Sequence, residues 1–142
     1  MEKYKFGTMT VQSILQASAK MEDFDVEWKR SVSTDDYSDE FMQAIAEGKP
    51  TAPFIIWHRT NENGNTAYTL IDGRTRWGWL LGIVKTEGYN TFRPTAEKLK
   101  LVDADGKPTE LFLSYEIPVL FLYGDRHEVM DMVRTYGVDF RK

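Results

Sequence analysis

In the segment from Tyr68 to Leu81 (YTLIDGRTRWGWLL), the polar stretch Asp72–Arg76 separates two largely apolar pieces, with Asp72-Gly73 as the cut. Before the cut, Thr66–Ile71 reads as a strand. After it, Trp77, Leu80, Leu81 and Val84 fall at helical spacing, which predicts a helix from Arg74 to about Glu87, ended by Gly88. Gly78 and Gly82, one turn apart, let that helix press against a sheet, and one of Trp77 and Trp79 is expected in the core. The first turn of the helix carries Arg74 and Arg76. A helix N-terminus presents unpaired N–H groups and a partial positive charge, so cations there oppose the dipole. An anion held by the Gly73–Arg76 amides, with Arg76 as a bidentate clamp, reconciles the two arginines with that end of the helix. The same residues read equally as an N-cap at Asp72, a turn glycine, and arginines paired with carboxylates elsewhere.

The rest of the chain supplies the elements around this turn. Lys3–Phe6 reads as a short edge strand. Thr8 or Thr10 then caps a helix from Val11 to about Lys20. Residues 21–36 form a polar connection containing Trp28-Lys29-Arg30. Asp35 or Asp36 caps a second helix through Glu47, with Tyr37, Phe41, Ala44 and Ile45 as its apolar stripe and Gly48 at its end. Phe54–His58 is apolar on both faces and reads as a buried strand, and the turn Asn61–Asn65 (NENGN) joins it to Thr66–Ile71 as a hairpin. Residues 89–98 read as loop. Leu99–Val102 and Leu111–Tyr115 read as strands around the turn Asp103–Pro108, and Ile117–Tyr123 is the most apolar strand. A last helix, capped by Asp125, runs to about Tyr136. The order predicts one compact mixed α/β domain over residues 1–142, a small mixed sheet flanked by about four helices.

Composition removes several classes of chemistry. The 142 residues include no cysteine, which excludes disulfides, thiolate zinc sites, cysteine nucleophiles and Fe–S clusters. The only histidines, His58 and His127, are too far apart in sequence for a paired-histidine metal motif. His58 reads as a partly buried structural residue and His127 as a capping or surface residue. The acidic run Asp35, Asp36, Asp39, Glu40 reads as helix-start charge, so no metal site is assigned. A net charge of −4 disfavours broad binding to DNA or anionic membrane. MEKYKFG is charged and lacks an apolar core, and no apolar run reaches membrane-spanning length, so a cytoplasmic protein is expected.

The turn resembles the nucleotide-binding element of the ParB/sulfiredoxin-like superfamily, a strand, a G-x-x-R turn and a helix. ParB-type stretches such as YELIAGERRWRAAKLAG are paralleled at Tyr68, Leu70, Ile71, Gly73, Arg76 and Trp77. The IVDGQQR motif of GmrSD-type restriction domains is matched at Asp72, Gly73 and Arg76. The likeness spans roughly residues 8–136, with Trp28-Lys29-Arg30 and Pro53–Trp57 upstream and Ile117–Phe121 downstream. It implies a ParB/sulfiredoxin-like fold and a nucleotide- or phosphate-binding site at Gly73, Arg74, Thr75 and Arg76, with Arg30 facing the ligand. If the domain is catalytic, it implies hydrolysis of an NTP with Mg²⁺ at Asp72 and Arg76. Where the family has Glu-Arg or Gln-Gln, this chain has Arg74-Thr75, so the group that organises metal or water in the family is replaced. Sulfiredoxin chemistry is excluded with the cysteine. The chain carries neither the nuclease nor the DNA-binding domain fused to these relatives. That supports a second expectation: a stand-alone copy acting by protein contact as a regulator, inhibitor or decoy, of a kind suited to phage or defence systems. DNA binding or nuclease activity is a third and weaker one. Oligomeric state is left open.

Overall fold

The computed structural model describes residues 3–18, 36–60, 63–64, 66–85 and 91–135. In chain order these form β1 (Tyr4–Thr10), α1 (Val11–Ser18), α2 (Asp36–Glu47), β2 (Phe54–Thr60), β3 (Thr66–Asp72), α3 (Arg74–Ile83), α4 (Arg93–Lys98), α5 (Glu110–Leu113), β4 (Glu116–Leu122) and α6 (Arg126–Thr135). The strands make one mixed sheet in the order β1-β4-β2-β3. β1 runs antiparallel to β4, β2 parallel to β4, and β2 antiparallel to β3.

The two inner strands, β4 and β2, have partners on both edges and layers on both faces. This is why Phe54–Trp57 and Ile117–Leu122 are nearly continuous apolar runs instead of alternating ones. Phe54, Ile56, Leu70, Ile117 and Val119 point to one face, where α1 to α5 cover them with Val11, Ile14, Phe41, Met42, Ile45, Trp77, Trp79, Leu80, Ile83, Ala96 and Phe112. Ile55, Leu120 and Leu122 point to the other, where, among the described residues, α6 packs Val129 and Val133 against them. Pro118 sits in central β4 without breaking it, because the parallel ladder with β2 begins only at Val119.

The ends of the helices follow local chemistry. Thr10 Oγ1 accepts from the Ser13 amide at 3.1 Å and caps α1. Gly48, at φ 71°, ends α2. Asp125 caps α6 by accepting from the Glu128 amide at 2.8 Å, and Glu128 returns the bond to the Asp125 amide at 3.4 Å, a reciprocal box.

The structure corrects the sequence reading in several places. Among the described residues there are six helices where about four were expected. Residues 93–98, read as loop, form α4: Pro94 suits a first turn, Arg93 pairs with Glu97 at 3.1 Å, and Ala96 is fully buried. The strands expected at Leu99–Val102 and Leu111–Tyr115 are absent. Only a Val102–Pro108 bridge remains of the first, and α5 occupies the second, nucleated by Thr109, whose hydroxyl accepts from the Phe112 amide. β1 extends to Thr10, beyond the expected Phe6. α3 stops at Ile83, with Val84 as its C-cap. Both tryptophans of α3 are buried, along with Ile83, while Leu81 and Val84 are only partly covered. On α2 the buried line is Ser38, Phe41, Met42, Ile45. Tyr37 lies one residue off that line and is 71% exposed.

Thr109 also donates to the Lys100 carbonyl at 2.6 Å, so one hydroxyl ties α5 to the end of the α4 region. Thr109→Ala is therefore expected to lose about 1–2 kcal/mol in urea unfolding, where a threonine in an exposed strand pair would change stability far less.

Candidate functional site

The strand-turn-helix at residues 66–83 is shaped by a bulge. In the hairpin, Ile55 pairs with Asp72 but Ile56 pairs with Leu70, so Ile71 is an extra residue on β3. A bulge of this kind bends its strand and increases the local twist, and here it sits immediately before the turn into α3. Gly73 follows at φ 104°, ψ 18°, a left-handed conformation that favours glycine. The Trp77 amide closes the first helical bond to the Gly73 carbonyl at 2.9 Å.

Gly73 is the N-cap, so the alternative reading of Asp72 as the cap does not hold, and no side chain caps the helix there. Asp72 is exposed at the end of β3. Thr75 is exposed, Arg74 is half-buried, and the first turn of α3 contains no acidic residue. Arg76 is also half-buried and turns back along the helix. It donates through Nη1 to the Ala52 carbonyl and through Nη2 to the Pro53 carbonyl, the latter at 3.2 Å. Its guanidinium lies 5.0 Å from the centre of the Phe54 ring, in cation–π range. Burial pushes the Arg76 pKa down from its usual value, and the charge of Asp72 opposes that shift in part. Among the described residues, no carboxylate comes within ion-pair distance of this guanidinium.

The Phe54 ring was not singled out from the sequence, yet it organises the turn. A Cβ on Gly73 would stand 2.2 Å from Phe54 Cδ1 and 3.3 Å from Arg76 Nη2. The ring also packs on Trp77, with centroids 5.5 Å apart. The backbone carbonyls of Ala52 and Pro53 were missed as well. The signal for them was the Ala52-Pro53 pair, in which the proline holds Ala52 in extended backbone just before β2.

Of the predicted site residues, the structure gathers Asp72, Gly73, Arg74, Thr75 and Arg76 at one turn, while Arg30 lies outside the described residues, as do Trp28 and Lys29. His58 is half-buried among the rings of Tyr68, Phe121 and Tyr123, with centroid distances of 5.1, 6.4 and 5.2 Å. His127 is on the surface and reaches Asp131 at 3.4 Å. No group of three or more acidic or histidine side chains is placed to hold a metal ion among the described residues. None of the described helices is long and apolar enough to cross a membrane.

The packing at Gly73 makes a definite prediction. Gly73→Ala combines a disfavoured φ with a clash against Phe54, and should cost about 2 kcal/mol or more. In a Phe54→Leu background the added cost should shrink, and a double-mutant cycle in urea would read the coupling. Comparison of the chain with protein-family models, with curated proteins and with solved structures gives no match.

Proposed function

We propose that the turn between β3 and α3 binds the phosphates of a nucleotide, in the manner that its resemblance to ParB/sulfiredoxin-like domains implies. The observation that carries this reading is the state of Arg76. A half-buried cation loses hydration, and neutral carbonyls with an aromatic face return only part of that loss. Arg76 has five N–H donors, of which its two bonds to Ala52 and Pro53 use two. The carbonyls hold the fork in a fixed orientation and leave donors for an anion, which would add to the partial compensation that Asp72 gives. The same short stretch of chain supplies the amides at the start of α3, which no side chain caps, and Arg74 and Thr75 of a first turn without an acidic residue.

Asp72 is the one carboxylate at the turn, and Mg²⁺ would arrive with the nucleotide. Binding is the proposed activity. Hydrolysis is a separate question, read by release of inorganic phosphate, because Arg74-Thr75 stands where the family carries its Glu or Gln. A second reading, action through protein contact, is favoured by the exposed Tyr4 and Phe6 on β1. DNA binding has only the basic turn to support it.

A thermal-shift series with ATP, GTP, CTP, UTP and their deoxy forms, with and without Mg²⁺, tests the proposal. A ligand at about 100 times its dissociation constant adds roughly 2.7 kcal/mol of stability, a shift of several degrees for a domain of this size. The variant of choice is Arg76→Gln, which keeps an N–H donor for the Ala52 carbonyl and removes the charge. A selective shift in the parent protein should vanish in Arg76→Gln. A flat series, or a shift that survives both Arg76→Gln and Arg74→Gln, would sink the assignment.

A further inference from the structure

We propose that β1 pairs antiparallel with β1 of a second copy of this chain, about a two-fold axis near Gly7 and perpendicular to the sheet, to give one continuous eight-stranded sheet. This inference is independent of the nucleotide reading. Among the described residues β1 pairs only with β4, so along this seven-residue strand the backbone groups of alternate residues, Tyr4, Phe6, Thr8 and Thr10, face the other edge. It also carries two large exposed rings, Tyr4 (55% exposed) and Phe6 (67%), packed edge to face with centroids 6.1 Å apart. Their register partners are Leu122 and Leu120, so both rings stand on the α6 face, beside the small core that α6 forms with Ile55, Leu120 and Leu122.

The distribution of side chains selects the occupant. Lys5 shares a face with Gly7 and Met9, opposite to the rings, and the charged half of the segment is its N-terminal half, Lys3 to Lys5. The other half, Gly7 to Thr10, has no charge. Parallel self-pairing would stack lysine on lysine. An antiparallel pair about Gly7 sets Lys5 against Met9 of the other copy, which separates the like charges and lets a lysine stem lie along a thioether. The same register sets Phe6 against Thr8 and Tyr4 against Thr10. It leaves the two Phe6 rings on one diagonal about 7–8 Å apart at the backbone, within reach of each other. A two-fold perpendicular to the sheet keeps all four rings on the face that bears α6 in both copies, so the strand supplies its own complement.

Sedimentation analysis of the whole chain over the micromolar to millimolar range should show a concentration-dependent rise from 16.5 kDa to twice that mass. Phe6→Lys should hold the protein at the monomer mass, with circular dichroism and dilute-solution Tm unchanged because Phe6 is not in either core. Tyr37→Lys, at an equally exposed ring on α2, should leave the dimer intact. The chain has no cysteine, so Lys5→Cys with Met9→Cys offers a clean cross-link: the proposed register brings position 5 of one copy opposite position 9 of the other, and mild oxidation should give a covalent dimer. A monomer at every concentration, a dimer that survives Phe6→Lys, or a dimer that does not cross-link between positions 5 and 9 would each overturn the proposal.

Discussion

The Phe54 ring is the contact on which the rest of the molecule turns. It begins β2, the strand shared by the hairpin and the parallel ladder, and lies under the N-terminus of α3. Trp77 packs on one side of it, Arg76 lies over it, and the space it fills is the space a side chain at residue 73 would need. Position 73 must be glycine for the ring to sit there, and the left-handed turn that glycine permits sends α3 back across the sheet. The aromatic core and the strand-to-helix turn are therefore one packing solution. Removing a fully buried Phe of this kind typically costs about 3–5 kcal/mol, and here the turn would lose its floor as well.

The same arrangement explains why fold and candidate chemistry are hard to separate at this site. A glycine that admits a close ring and an arginine that ties a strand entrance to a helix are sufficient reasons for a G-x-x-R sequence on structural grounds. What those reasons do not account for is charge. Carbonyls and a ring face orient a guanidinium, but they do not neutralise it, and a cation at the positive end of a helix dipole is in a poor place by itself. The phosphate proposal rests on that imbalance and not on the presence of the motif.

Where local chemistry was unambiguous, the elements could be read from the residues. Phe54–His58 and Ile117–Tyr123 are long apolar runs that only buried strands explain, and both are central strands. Thr10 and Asp125 begin helices through side-chain hydrogen bonds, and Gly48 ends one through its left-handed backbone. The segment from Arg93 to Tyr115 was misread because its pieces are short. Four residues, Glu110 to Leu113, are too few to display a period, and an alternation of exposed Leu111 with buried Phe112 fits a strand as well as a helical turn. Thr109 decides between them through a hydrogen bond that no spacing rule contains. At the candidate site, the turn itself and the set Asp72 to Arg76 were legible. The acceptors of Arg76 were not, because they lie more than twenty residues upstream and are backbone atoms, which leave no side-chain signature.

The unequal covering of the two sheet faces has a consequence for how the molecule opens. Five helices share the larger core, so none can leave without exposing surface that several others bury. The smaller core is held by one helix of ten residues through Val129 and Val133, with a capping box at its start. Elements with few buried apolar contacts open locally at a fraction of the global free energy. The amides of α6 are thus set to exchange through a partial opening that leaves the other face intact, bares Ile55, Leu120 and Leu122, and turns one side of a folded sheet into a transient apolar surface.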